Sequence, residues 1–297
     1  MSKPKLVIRR SSDPIPQRNV HIVIHGEPGL GKTSLSFTFA KPVLHIDTTS
    51  GLERAVANIR ADSIPLGPAY PFKDFFNWVL SSDFVTFINA EKYQSIAIDE
   101  IGTLLDSHMS PYVTSLDPSY RNSSGGLTLR GYGALGDTFR RLKDRIWSLG
   151  LDMISIAHSK EEGEGASKKM VLEIPGKSKS IVYATADQLG YLHFVGDQLT
   201  LDFTKGRFFD AKDTARIGEV KIPHYNDEAY KTIGENICKT VKEKMTEASR
   251  DQVELQAKVQ EWREDMEGAD KTESTEDRIE DIKTIDSRAL QYCGRKI

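Results

Sequence analysis

A chain of 297 residues, 38% hydrophobic and 28% charged, is long enough for one large core with an appendage, and it holds no apolar run near the roughly 18 residues that cross a bilayer. Its formal net charge of -3 hides a gradient: residues 251–297 hold 8 Lys and Arg against 13 Asp and Glu, so the rest is near neutral and a uniformly basic, duplex-wrapping surface is excluded. Two cysteines, Cys238 and Cys293, lie far apart and outside any Cys/His cluster, which excludes a disulfide framework and a zinc site.

In chain order, residues 1–18 read as a polar, basic arm without an apolar stretch of signal-peptide length, so the protein is expected in the cytoplasm with no membrane contact. The apolar run Asn19–His25 predicts a buried strand that leads straight into Gly26-Glu-Pro-Gly-Leu-Gly-Lys-Thr33, and Ser34–Ala40 predicts a helix. Val43–Asp47 reads as a second buried strand ending in a carboxylate. Ser95–Asp99, followed by Glu100, repeats that design, and Met153–His158 is a further apolar run with a polar end. Strands apolar at nearly every position belong to parallel sheets covered on both faces. Leu135, Phe139, Leu142, Ile146 and Leu149 recur every three or four residues and mark the core face of a helix. Gln188–Val195 and Gln198–Phe203, parted by Gly196 and Asp197, predict an antiparallel hairpin at the sheet edge. Strands alternating with helices give an α/β fold with a mostly parallel central sheet flanked by helices, over residues 19–226. A helical segment follows at 227–266, with Ile233, Ile237 and Val241 and then Val253, Val259 and Trp262. Residues 267–297 read as an acidic tail, with a linker at 267–275 and a candidate short helix through Ile279, Ile282 and Ile285.

The glycine loop matches GxxxxGK[ST] in the strand-to-helix context that gives the pattern meaning, so Gly26, Glu27, Pro28, Gly29, Leu30, Gly31, Lys32, Thr33 and Ser34 are candidate nucleotide-binding residues. Glycine lets the loop wrap with its N–H groups turned toward phosphate oxygens. Lys32 is expected to reach the β and γ phosphates and Thr33 to set its hydroxyl on magnesium, which makes ATP and Mg2+ the expected cofactors. Asp99, at a strand end, is the candidate second metal ligand. Glu100 beside it is the candidate base that polarises the attacking water. His158 ends its strand where ligands collect in an open α/β sheet and is a candidate sensor of the γ phosphate; Asp47 is equally well read as an ordinary strand-end acid.

Five segments together carry a family resemblance: GEPGLGKTS at 26–34, LHIDTTSG at 44–51, SIAIDE at 95–100, GYGALGDTF at 131–139 and ISIAHS at 154–159. Over Val20 to Pro223 the chain resembles the RecA-like, AAA-domain P-loop ATPases that bacteriophages encode for recombination and single-strand annealing. The resemblance implies a RecA-like core and a host-cytoplasmic protein. It further implies ATP-dependent binding of single-stranded DNA alongside a single-strand-binding protein. Where RecA itself carries a catalytic glutamate, two residues after the acid that ends its second strand, this chain has Thr49, which makes Glu100 the better base. Asp210–Gly218 resembles the element that inserts a cation into a neighbour's site; Lys212 or Arg216 would supply it, and a homo-oligomer would follow. DNA-binding loops in this family follow the central strands. Two candidates stand there: residues 120–132, with Arg121, Arg130 and flanking tyrosines, and the stretch after His158 with Lys160, Lys168, Lys169, Lys177 and Lys179 diluted by glutamates. Two other readings remain open: a motor or loader ATPase acting on a protein partner, and a nucleotide-gated scaffold that hardly hydrolyses.

Overall fold

Apolar side chains at consecutive positions, which only a doubly covered strand can hide, build β1 (His21–Gly26), β2 (Val43–Asp47) and β4 (Ser95–Asp99), each buried along its whole length in the computed structural model. The structure describes residues 18–52, 61–174 and 178–269. The expected arm before residue 18, Lys177, and the tail beyond 269 with its candidate helix near Ile279 lie outside the described residues. Pro16–Thr246 form one compact unit. Residues 247–269 belong to a second unit and are helical.

Between these strands the chain adds α1 (Lys32–Ser36), β3 (Asp62–Pro65), α2 (Phe72–Leu80) and α3 (Ser82–Glu91). After β4 come α4 (Ile101–Thr103), a π-helical stretch at Leu104–Met109, and α5 (Ser110–Leu116). Then follow α6 (Leu129–Ser148), β5 (Asp152–Glu162), β6 (Lys169–Leu172), α7 (Ser178–Thr185), β7 (Gln188–Val195), β8 (Gln198–Asp202), β9 (Lys212–Asp213), β10 (Glu219–Lys221) and α8 (Ile233–Ala269).

The sheet order is β10-β8-β7-β1-β5-β4-β2-β3, with β6 paired to β5 and β9 to β7. From β7 to β3 every pairing is parallel, so Gly26 and Asp99 at the ends of β1 and β4 lie on the same side of the sheet as His158, which is in register with Gly26 within β5. The β7–β8 hairpin closes one side of the sheet, and β10 adds a short antiparallel strand beyond it.

Alternation along the strands feeds two cores. Val23, Ile96, Ile98 and Met153 pack with Leu135, Phe139, Leu142 and Ile146 of α6 and with Phe75, Phe76 and Phe84 of α2 and α3. Ile22, Ile24, Ile154 and Ile156 face the other way, against Leu35, Phe37 and Phe39 and against Ile237, Cys238 and Val241. α6 thus buries the stripe that the sequence spacing predicts, entered through Thr128, whose hydroxyl accepts from Gly131 N at 3.1 Å.

The first helix differs from expectation. It stops at Ser36 rather than running to Ala40, because Ser36 and Thr38 hydroxyls donate back to the carbonyls of Thr33 and Leu35. Thr38 then receives the start of α8: Gly234 N donates to its hydroxyl at 3.0 Å and Glu235 N to its carbonyl at 2.9 Å. At the other end α8 continues through 267–269, the first residues of the expected linker.

Candidate nucleotide-binding site

The glycine loop leaves β1 at Gly26, where a Cβ would come within 2.6 Å of Leu192 O on the neighbouring strand. Gly26 is therefore required by close packing. Gly29 and Gly31 are required by conformation, with φ of 84° and 80° in the left-handed region. Glu27, Pro28, Gly29 and Gly31 are exposed and Leu30 half-buried, while Lys32 and Ser34 are buried. No side chain caps the first turn of α1, which leaves its N–H groups directed at the loop. α1 has only five residues, so an anion there would depend on these local N–H groups more than on a long helix dipole.

Lys32 Nζ donates to Gly26 O at 2.8 Å and Glu27 O at 2.7 Å. Burial lowers its pKa, opposed by the nearby carboxylates of Asp99, Glu100 and Glu27. Thr33 Oγ1 donates to Asp99 Oδ2 at 2.5 Å, which joins the loop to the end of β4. Asp99 is pushed up to about 6, chiefly by burial, with Asp47 and Glu100 adding repulsion and the Thr33 hydrogen bond and Lys32 opposing it. His45, fully buried in β2, sets Nε2 3.8 Å from Asp99 Oδ2, and its pKa is lowered to about 4 by burial.

Glu100 is held from several sides. Its carboxylate accepts from Thr103 Oγ1 at 2.8 Å and from His158 N at 3.2 Å. Its backbone N donates to Thr48 Oγ1 at 2.6 Å, and the same hydroxyl donates to Glu100 O at 2.9 Å. The peptide between Asp99 and Glu100 is cis. A Cβ on Gly102 would lie 2.8 Å from Glu100 Oε1 and 2.7 Å from Glu173 O, so glycine there leaves room for the carboxylate. Beside Glu100 opens a cleft of about 460 Å³ lined by Thr103, Asp106, Ser107, Lys160 and Glu173 among others.

The structure thus joins Thr33 to Asp99 by a hydrogen bond, with Lys32 close enough to Asp99 and Glu100 for their charges to act on it. His158 meets Glu100 mainly through its backbone; its imidazole Nε2 is 4.0 Å from Glu100 Oε2. Asp47 turns into its own loop instead, accepting from Thr49 N at 3.1 Å and Gly51 N at 3.3 Å. Sequence reasoning missed Thr48, Thr103 and His108, whose Nε2 lies 3.0 Å from Thr48 O. A hydroxyl three residues after a strand-end glutamate, at helical spacing, is the one signal that pointed to Thr103.

The outlying candidates separate into paired and unpaired groups. Lys212 does not extend from the molecule, contrary to its expected finger role: its ammonium donates to Tyr183 O at 3.2 Å and Ala186 O at 2.6 Å, closing the end of α7. Arg216 is exposed. Lys205 and Arg207, which sequence reasoning passed over, are also exposed and have no carboxylate partner among the described residues, next to Phe208 at 70% exposure. In the stretch after His158, expected as a loop of lysines diluted by glutamates, strands β5 and β6 form a hairpin, and its cations meet carboxylates. Lys160 pairs with Glu162, Lys168 with Glu161, and Lys169 with Asp210, at 2.7 to 3.0 Å. Lys179 lies near Glu162 and Asp210. By contrast Arg121, on the loop before α6, and Arg130, in the first turn of α6, are exposed, Arg130 with its guanidinium 6.0 Å from the Tyr120 ring centroid.

A parallel sheet with a glycine loop at one strand end and an acidic pair at the end of another defines a RecA-like α/β P-loop fold built for nucleotide binding. A family model described as an AAA domain matches residues 18–215, about two thirds of the chain, and the chain belongs to that family of P-loop ATPases. A search of the curated proteins returns no match. Among the described residues no helix is long and apolar enough to cross a membrane.

Proposed function

We propose that the protein is a magnesium-dependent ATPase whose nucleotide state controls its grip on single-stranded DNA, in phage recombination or annealing. The observation that carries the enzymatic part is the hydrogen bond that joins Thr33 of the glycine loop to Asp99 at the end of β4, with Lys32 within electrostatic reach of Asp99 and Glu100. Thr33 and Asp99 offer the oxygen donors a hard cation takes, and among the described residues no group of three or more His, Cys, Asp or Glu competes for it. Magnesium, when bound with the nucleotide, supplies neutralisation of phosphate charge. Lys32 adds a second positive charge at the loop. Glu100 is a fixed acceptor for the proton of an attacking water, because Thr103 and the His158 N–H set its orientation. His158 is placed to report the state of that carboxylate to the β5–β6 hairpin.

The DNA part rests on the phage-ATPase resemblance and on the exposed Arg121 and Arg130 beside Tyr120 and Tyr132, a basic and aromatic mixture suited to a single strand. A homo-oligomer assisted by a single-strand-binding protein fits this role, with Arg216, Lys205 and Arg207 as the cations free to reach a neighbouring site. One observation favours a protein partner instead: the internally paired lysines of the β5–β6 hairpin withdraw half of the basic surface that DNA would use.

The experiment is phosphate release titrated with single-stranded DNA, duplex DNA or no nucleic acid, at fixed salt. Stimulation confined to single strands supports the recombination reading, and a DNA-independent rate moves the assignment to a protein-remodelling ATPase. The Glu100→Gln variant is expected to lose about 10²–10⁴-fold in turnover while still binding ATP. Normal turnover in that variant removes Glu100 as the base.

A further inference from the structure

A second cleft opens on another flank of the glycine loop. Its volume, about 540 Å³, falls within the roughly 300–1,000 Å³ of small-molecule sites. Gly29, Gly31 and Ser34 form its loop side, whereas Lys32, Thr33, Asp99 and Glu100 are absent from its lining. It therefore adjoins the phosphate loop away from the groups suited to magnesium and the terminal phosphate. The opposite wall comes from the β7–β8 turn and from the segment between β10 and α8.

Two large aromatic side chains on that wall are left uncovered: Phe194 is 57% and Tyr225 48% exposed. Rings of this size are ordinarily covered, and two of them on one cleft beside an anion loop offer a stacking surface for a flat heterocycle. Tyr225 stands on a turn that is already fixed. His224 O accepts from Asp227 N at 2.8 Å, and the His224 and Tyr225 ring centroids are 4.2 Å apart. Ile222 N donates to Leu199 O at 2.8 Å and Gln198 Nε2 donates to Ile222 O at 2.9 Å, tying this segment to the hairpin. Such a wall needs little ordering when a ligand arrives. Asp197, exposed in the turn between β7 and β8, has no partner among the described residues and is an acceptor turned to solvent at the cleft.

From this arrangement we infer that the nucleoside of the bound nucleotide lies in this cleft, its base packed on Tyr225 and Phe194, with Asp197 accepting from nucleoside donors. The inference rests on the reading of the glycine loop as a phosphate site. The phosphate chain has two ends; Lys32, Thr33 and Asp99 suit the terminal one, so the nucleoside leaves the loop past Ser34 toward the aromatic wall.

The test is calorimetric titration of the full chain with two probes, Mg-ADP and Mg-tripolyphosphate, the latter having phosphates and no nucleoside. Tyr225→Ala and Phe194→Ala are each expected to weaken ADP about ten-fold or more while changing tripolyphosphate affinity by less than about two-fold. Asp197→Ala is expected to weaken ADP by a smaller factor and to leave tripolyphosphate alone. Thermal melting of each variant checks that the fold is kept. Unchanged ADP affinity in both aromatic variants overturns the assignment, as does an equal loss for both probes. Those results leave the phosphate loop standing, whereas a wild-type chain that binds neither probe takes down the loop reading and this inference together.

Discussion

The two ends of the central strands both bury charge and treat it in opposite ways. At the N-terminal ends, Asp187 accepts from the Arg18 guanidinium and from His21 N, and Asp152 accepts from Val20 N and from the Lys242 ammonium. Each carboxylate there meets one cation and one backbone donor. At the C-terminal ends, Lys32 donates to carbonyls of its own loop, Asp99 meets a hydroxyl instead of a cation, and burial with two neighbouring acids raises it to about 6. Matched charges add order to the fold; under-neutralised ones at the strand ends are ready for a ligand that brings its own charge.

The largest effect that breaks this contrast belongs to the site end. Lys32→Ala removes the charge expected to meet the phosphates and is expected to lower turnover about 10²–10³-fold, the scale for loss of one preorganised donor at a developing charge. Because Lys32 is buried with a lowered pKa, the melting temperature is expected to hold or rise. Phosphate release and thermal melting of the same sample read both. A fall in both together would mean that the lysine is a structural group.

Asp152→Ala tests the other end and reverses the pattern. Asp152 is almost fully buried and Lys242 largely so, and breaking such a pair leaves an uncompensated charge, so a loss of about 3 kcal/mol is expected from urea unfolding. Turnover per folded molecule is expected to stay at the wild-type level. A large loss of specific activity without unfolding would show that the two ends are coupled.

Much of this contrast was legible in the sequence where the chemistry is local. A glycine loop between an apolar strand and a helix, and an acidic pair closing another strand, are short-range patterns, and the α6 stripe at 135–146 follows from periodicity. Long-range matching was not legible. Asp152 and Lys242 are 90 residues apart, Asp187 and Arg18 169 apart, and no local pattern announces which acid meets which base. The same applies to Lys212, whose polar, charged context in the chain hides its role at the end of α7. α1 stopped short of the helix read from its apolar spacing because Ser36 and Thr38 back-bond, and because Thr38 also serves a segment almost 200 residues later. The acid pair itself was found, but not the Thr48 and Thr103 hydroxyls that fix it.

Acid titration sharpens the comparison through two histidines of one strand. His21 near the start of β1 and His25 near its end both have pKa values lowered to about 4, chiefly by burial. Their folded values lie below the unfolded value near 6.5, so the unfolded chain binds more protons between pH 4 and 6.5. Stability is then complete above about 6.5 and falls on acidification, by up to about 1.4 kcal/mol per pH unit for each histidine. Asp99 acts in the opposite sense below about 6, since its folded pKa is raised and the folded state binds the extra proton. With His45 lowered to about 4 in the same way, three buried histidines outweigh one carboxylate, so urea-derived stability is expected to drop from pH 7 to 5. His21→Asn is expected to make that drop shallower, and an unchanged slope in the variant would place the protonation elsewhere.

The smallest expected effects lie on the surface, where the matched and unmatched distinction recurs between two loops. Arg121, on the loop before α6, and Arg130, in its first turn, are exposed, while Lys168 pairs with Glu161 at 2.9 Å and Lys169 with Asp210 at 2.7 Å. Alanine at Arg121 or Arg130 is expected to move folding stability by no more than about 0.5 kcal/mol, as for other exposed changes. If the proposed grip on single-stranded DNA is right, each arginine that neutralises a phosphate contributes about 0.7 to the slope of log affinity against log salt. Replacing both is then expected to lower that slope by about 1.4. Replacing Lys168 is expected to leave it unchanged, because a lysine must first give up its glutamate before it can release a counterion from DNA. Fluorescence anisotropy of a labelled oligonucleotide across a salt series gives the slopes directly. A fall with Lys168→Ala and none with the arginine variants would reverse the assignment of the two loops and show that intramolecular pairing at the surface is too weak to withhold a lysine from a phosphate backbone.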